Sequence, residues 1–152
     1  MSDLSNHAID DALSKVPVVR DMYRGAFPHD RLPDLDLGHL PAMVVVNTDS
    51  HNLPGRHWIS IYIDEDRHGE VFDPLATPLG NHVIRFMNTW ARSWLTNSNM
   101  YQHPHSRSCG VFVLYHLANR LCYPSLSAVL QTLSVIPLEN EIIMSAFYRR
   151  LQ

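Results

Sequence analysis

Cysteine is nearly absent from the chain, which has Cys109 and Cys122 and no other thiol. Two thiols set in apolar, helix-like sequence cannot staple a small secreted scaffold, so a reducing, intracellular compartment is expected. Long apolar runs are missing as well. No stretch reaches the roughly 18 residues that a membrane-spanning helix requires. The opening MSDLSNHAIDDALSKV has no basic segment leading into an apolar run, so neither a secretory leader nor a membrane partner is expected. An excess of one charge is also lacking. With a formal charge of −3 and a pI near 6.3, nothing in the bulk electrostatics draws the chain to nucleic acid or an anionic surface. There is no internal repeat, no low-complexity segment, no C-x-x-C and no helical H-x-x-x-H. A zinc module would therefore have to gather His103, His105, Cys109 and a fourth ligand such as His116 without paired spacing, and no metal or other cofactor is expected.

What remains is the composition of a folded domain. Of the 152 residues, 45% are apolar and 18% charged, enough to bury a core without staples, and the whole of 1–152 reads as one domain, expected to act as a monomer. Ile9, Leu13, Val16, Val19 and Tyr23 recur at helical spacing and predict a first helix over 7–24, kinked at Pro17. Residues 25–41 hold Gly25, Pro28, Pro33, Gly38 and Pro41 and read as an irregular connection. AMVVVNTD (42–49), HWISIYID (57–64) and GEVFD (69–73) are strand-like, and the polar EDRHG between the last two predicts a hairpin. A helix is expected over 81–95, an edge strand at 100–102, and a strongly apolar helix from Cys109 onward. Two further helices are expected near 125–133 and 138–151. The fold class is α+β: a mixed central sheet packed by helices, with Cys109 at the N-terminus of a buried helix.

That cysteine carries the sharpest chemical signal. In SRSCGVFVLYHL a polar loop ends on Cys109 and passes straight into a helix, where unpaired N–H groups and the positive end of the macrodipole favour a thiolate. Gly110 would let a substrate carbonyl approach the backbone unobstructed. The same local sequence also suits a buried structural thiol, and the residues alone leave both readings open. Cys122, between Leu121 and Tyr123, reads as a buried and inert thiol of the same helical run.

A nucleophilic thiolate needs a base, and composition cannot choose among ten histidines. Position favours His57, mounted at the start of a strand just after Gly55, which keeps the approach open. Across the predicted hairpin, Asp73 falls near the start of the His57 strand, within reach of an imidazole nitrogen, although an Asp-Pro pair also simply ends a strand. Gln102, seven positions before Cys109, could supply an amide donor to an oxyanion or be ordinary solvated surface.

Taken in order, VVVNTDSHNLPGRHWISIYID, EVFDPLATPL and QHPHSRSCGVFVLYHL, with MYRGAFPHDRLP upstream, resemble the adenovirus protease, adenain, and its relatives over roughly residues 20–120. More distantly the pattern is similar to proteases that process SUMO and other ubiquitin-like proteins. The resemblance implies a cysteine endopeptidase with His57 as general base, Asp73 as orienting acid, Gln102 as oxyanion donor and Cys109 as nucleophile. Trp58, Gly55 and Gly110 would then border the substrate. It further implies protein or peptide substrates with glycine flanking the scissile bond, viral or transposon precursors among them, and a location in the host nucleus or virion for a viral enzyme. A peptide or DNA activator is the partner class that the resemblance adds. A disulfide-linked activator has no cysteine near Met100 to bond, and the acidic balance gives a DNA activator little independent support. Asp73 stands where adenain has glutamate, as in the SUMO-type enzymes, whose isopeptidase activity is the alternative. A catalytically inactive binding module of the same fold is the remaining class, and the four filled catalytic positions argue against it.

Overall fold

The computed structural model describes residues 3–48 and 57–152. The expected long N-terminal helix is two: α1 (Asn6–Ser14), capped by the Ser5 hydroxyl on Ala8 N–H, and α2 (Pro17–Arg20), which Pro17 opens at its first position. Proline has no N–H to lose there and its fixed φ suits the first turn.

A five-stranded sheet follows, in the order β1 (Tyr23–Pro28), β2 (Ala42–Asn47), β3 (Trp58–Ile63), β4 (His68–Phe72), β5 (Ser93–Thr96). The outer pairs are parallel and the two inner pairs antiparallel. Strand β1 lies where the sequence predicts an irregular connection. Gly25, with φ of 125°, sits at a register shift between Tyr23 and Ala26, and Pro28 closes the strand. Both breakers are tolerated because β1 is an edge strand.

The expected helix over 81–95 is shorter: α3 (Asn81–Trp90) ends where Ala91 turns extended, and the chain enters β5 alongside β4. The expected edge strand at 100–102 is therefore β5 instead. Gly69 permits this close return, since a Cβ there would stand 2.7 Å from Met87 Cε and 3.1 Å from Ala91 Cβ.

Every residue of β3 is buried, because the sheet is covered on both faces. Met43, Val45, Trp58, Tyr62 and Phe72 pack against α1 and against α4 (Cys109–Asn119). Val44, Val46, Ile59, Ile61 and Val71 pack beneath α3 and a short 3₁₀ turn at His29–Asp34. Helix α4 is apolar around its circumference, as a helix buried in a core must be. It ends at Asn119, so Cys122 lies in a 3₁₀ turn and is exposed rather than buried as expected. Helices α5 (Leu126–Leu130) and α6 (Pro137–Leu151) complete the chain.

One polar network crosses this core. Ser60 Oγ lies 2.7 Å from His116 Nδ1, His116 Nε2 lies 2.6 Å from Glu70 Oε2, and Arg120 Nε donates to both Glu70 oxygens at 2.9 Å. It joins β3, β4 and the C-terminal end of α4. Ser60 and His116 are inaccessible to solvent, so the cluster holds elements together and has no route to a substrate.

Candidate active site

Strands β3 and β4 pair with Ser60 opposite Phe72, which brings the residue before β3 and the residue after β4 to the same end of the sheet. These are His57 and Asp73. His57 Nε2 lies 2.9 Å from Asp73 Oδ1, and both side chains are largely buried. The His57 carbonyl accepts from Thr48 N–H at 2.9 Å, which ties the histidine backbone to the end of β2.

Asp73 is held from several directions. Leu75 N–H donates to Oδ1 at 2.9 Å, while Thr77 N–H and Thr77 Oγ1 donate to Oδ2 at 3.1 and 2.6 Å. Asn97 fixes its backbone, accepting from Asp73 N–H at 2.8 Å and donating to the Asp73 carbonyl at 2.7 Å. The loop 73–77 thus curls around its own carboxylate, with Ala76 at a φ of 52°.

The electrostatics follow from this packing. Burial pushes the His57 imidazole toward its neutral form, but the Asp73 carboxylate and the Cys109 thiol on its other side outweigh that and raise its pKa to about 10. Burial likewise disfavours the Asp73 anion, and His57, Thr77 and the Leu75 amide overcome it, holding the carboxyl below its ordinary 3.8. His57 is thus held between the Asp73 carboxylate, 2.9 Å from Nε2, and the Cys109 side chain.

Gln102 and Cys109 arrive on one irregular segment. The Pro74 carbonyl, next to the acid, accepts from both Tyr101 and Gln102 N–H at 2.8 and 3.0 Å, so the acid loop also positions the glutamine. Gln102 is buried, and its Nε2 donates to the Ser106 carbonyl at 3.0 Å, leaving the second N–H of that amide for another acceptor. Cys109 opens α4 and is 3% exposed.

All four border one cleft of about 890 Å³, whose walls include Leu75, Leu79, His29, His82 and Arg107. Gln102 Oε1 is a buried side-chain oxygen in this cleft without a hydrogen-bond partner.

The other expected residues are placed differently. Trp58 is buried in the core, its indole N–H donating to the Leu4 carbonyl at 3.0 Å, and is not part of the cleft wall. Gly110 faces inward too, where a Cβ would lie 2.9 Å from Leu4 Cβ; packing explains this glycine. Gly55 lies outside the described residues. Of the residues weighed as zinc ligands, His103 and His105 lie side by side, with ring centroids 5.6 Å apart. His116 belongs to the core network, and among the described residues no group of three or more His, Cys, Asp or Glu side chains could hold a metal ion. Thr77 and Asn97 were not singled out from sequence. D-P-L-A-T is a turn signal that points to Thr77, whereas Asn97 reaches the site only through the β4–β5 pairing.

No known protein family matches the sequence, and no curated protein matches it. Solved structures do. The crystal structure of an ASFV protease, pS273R, superposes with a TM-score of 0.67 at 18% identity, covering 84% of this chain and 61% of that one. Its selenomethionine form gives 0.67 at 20% identity, with 88% and 63% covered. The central domain of an uncharacterized protein from Legionella pneumophila gives 0.54 at 14% identity, with 99% and 98% covered. The chain thus spans less than two thirds of the ASFV protease. The α+β architecture expected from sequence is shared with that protease, at an identity where the likeness is one of fold and does not single out adenain.

Proposed function

We propose that this chain is a cysteine peptidase in which Cys109 is the nucleophile, His57 its proton acceptor, Asp73 the group that orients His57, and Gln102 an oxyanion donor. The observation that carries the reading is the placement of His57 between the Asp73 carboxylate and the Cys109 thiol, with the buried Gln102 amide in the same cleft. The fold shared with the ASFV protease agrees with it.

With Nε2 against Asp73, Nδ1 is the nitrogen left to exchange a proton with sulfur. The Cys109 thiolate adds to the scissile carbonyl carbon, and negative charge moves to the oxygen, where the second Gln102 N–H can meet it. Collapse of this intermediate breaks the C–N bond, and the imidazolium gives its proton to the departing amine. Water then attacks the thioester, His57 takes its proton, and the acid leaves as the thiol is restored. The raised imidazole pKa suits a site that starts as a thiolate–imidazolium pair.

A preference for glycine beside the scissile bond, precursor proteins or ubiquitin-like tails as substrates, and a peptide activator rest on the sequence resemblance alone. Purified protein incubated with a library of small-residue peptides tests the proposal. Cleavage is expected, with loss in Cys109→Ala. Absence of both cleavage and inhibitor adducts at Cys109 would sink it.

A further inference from the structure

We infer that Glu141 is a positioning residue for the oxyanion site, holding the loop 103–108 in the shape that presents Gln102 and Cys109 to one cleft. The inference rests on the peptidase reading above and extends it to a residue on a distant helix.

The loop has no regular structure of its own, and it must fix two groups at once: the Gln102 amide through the Ser106 carbonyl, and Cys109 through the start of α4. Helix α6 grips this segment at three points. Asn140 Nδ2 donates to the Tyr101 carbonyl at 3.0 Å. Glu141 Oε2 accepts from His103 N–H at 3.3 Å, and Glu141 Oε1 accepts from Ser108 Oγ at 2.6 Å. Asn140 is fully buried and also bonds the Ser134 amide and carbonyl, so its first task is to fold the turn before α6. Both oxygens of Glu141, by contrast, go to the active-site loop.

The Ser108 contact has a direction. An ionised carboxylate only accepts, so Ser108 must give its hydroxyl proton to Glu141, and its oxygen is left to accept from Ser106 Oγ, 2.6 Å away. A serine before a helix ordinarily turns its oxygen back onto the first-turn N–H groups. Ser108 makes no such cap, because Glu141 holds it away from α4. The chain Ser106, Ser108, Glu141 therefore fixes the residue whose carbonyl orients Gln102. Without the carboxylate, Ser108 is free to swing back as a cap and Ser106 loses its anchor. A displacement of about 1 Å at such a site can cost a hundred-fold in rate.

The test compares Glu141→Ala, Glu141→Gln and Ser108→Ala, alone and in combination, in a Cys122→Ala background. Four quantities are measured: peptide kcat and KM, affinity for a peptide aldehyde, iodoacetamide alkylation of Cys109, and the thermal midpoint. The aldehyde forms a tetrahedral adduct that uses the oxyanion donors, whereas alkylation uses only the thiolate. Glu141→Ala should lose about a hundred-fold in kcat and in aldehyde affinity, with KM nearly constant and alkylation no slower. Glu141→Gln should fall between, since its single amide oxygen can accept from Ser108 Oγ or from His103 N–H but not from both, its nitrogen being a donor. The Ser108→Ala/Glu141→Ala pair should be little worse than either alone, because the two act as one unit. Wild-type kcat in Glu141→Ala would overturn the inference. So would a parallel fall of kcat, alkylation and thermal midpoint, which would make Glu141 a general support of the fold. A wild-type protein that neither cleaves peptide nor binds the aldehyde would sink the peptidase reading itself, an outcome distinct from both.

Discussion

Thr77 donates its hydroxyl proton to Asp73 Oδ2 at 2.6 Å, while His57 lies against the other oxygen of the same carboxylate. Thr77 thus holds Oδ2, while Oδ1 is shared between Leu75 N–H and the ring that Asp73 orients. Thr77→Val should keep the fold but lower kcat about tenfold, the scale of one charge-assisted hydrogen bond. It should also raise the Asp73 pKa, moving the acid limb of the kcat profile to higher pH. Thr77→Ser should restore both. Steady-state kinetics across pH on the three proteins checks this.

The His57–Asp73 contact makes stability depend on pH in a defined way. The histidine pKa rises on folding from 6.5 to about 10, so its contribution is complete below pH 6.5 and is lost as pH climbs through 10. The Asp73 pKa falls from 3.8, so its contribution is complete above that value and is lost as pH drops below it. Chemical denaturation should show a plateau from about pH 4 to 6.5 and a progressive decline toward pH 10. In His57→Gln the alkaline decline should shrink. A wild-type curve flat from pH 6.5 to 10 would mean that His57 is not held as an imidazolium.

The two thiols should behave differently for reasons the sequence did not disclose. Cys109 is 3% exposed and beside His57, whereas Cys122 is exposed in a 3₁₀ turn. On the peptidase reading both should react with iodoacetamide, Cys122 because it is exposed and Cys109 because His57 stands beside it. Cys109→Ala should abolish peptide cleavage, and Cys122→Ala should leave it nearly intact. Mass spectrometry of alkylated wild type and His57→Ala should show slower labelling of Cys109 alone in the latter.

Gln102→Ala should lower kcat about a hundred-fold with little change in KM, a loss of roughly 3 kcal/mol confined to the transition state. Alkylation of Cys109 should be unaffected. An effect limited to KM would assign Gln102 to substrate binding instead.

Sequence alone made the inner half of this structure legible. β2, β3 and β4 are short runs rich in β-branched and aromatic residues bounded by turn residues, and the hairpin between β3 and β4 brings Asp73 to the same end of the sheet as His57 by counting alone. The outer strands were hidden. Gly25 and Pro28 in β1 read as breakers because a sequence does not say which strand lies at an edge. Trp90 and Trp94 keep helical spacing across the point where α3 ends, so β5 was absorbed into the helix. At the site, His57, Asp73, Gln102 and Cys109 are residue types that chemistry can nominate. Thr77, Asn97 and Glu141 act through contacts whose geometry only the folded chain defines. Trp58 and Gly110 mislead in the opposite sense, since a core residue and a site residue have the same letter.

The buried network of Ser60, Glu70, His116 and Arg120 bears on when this protein can become reactive. Glu70 lies on β4, three residues before Asp73, and is clamped by His116 of α4, the helix that Cys109 begins, and by Arg120 just beyond its end. A slip of one residue between β3 and β4 would turn Glu70 out of the core and carry Asp73 away from His57 together. Correct pairing in the interior and assembly of the surface cleft are thus a single event. On the peptidase reading, a nascent or misfolded chain would lack the His57–Asp73 pair beside Cys109, so cleavage of neighbouring polypeptides would begin only with the finished fold.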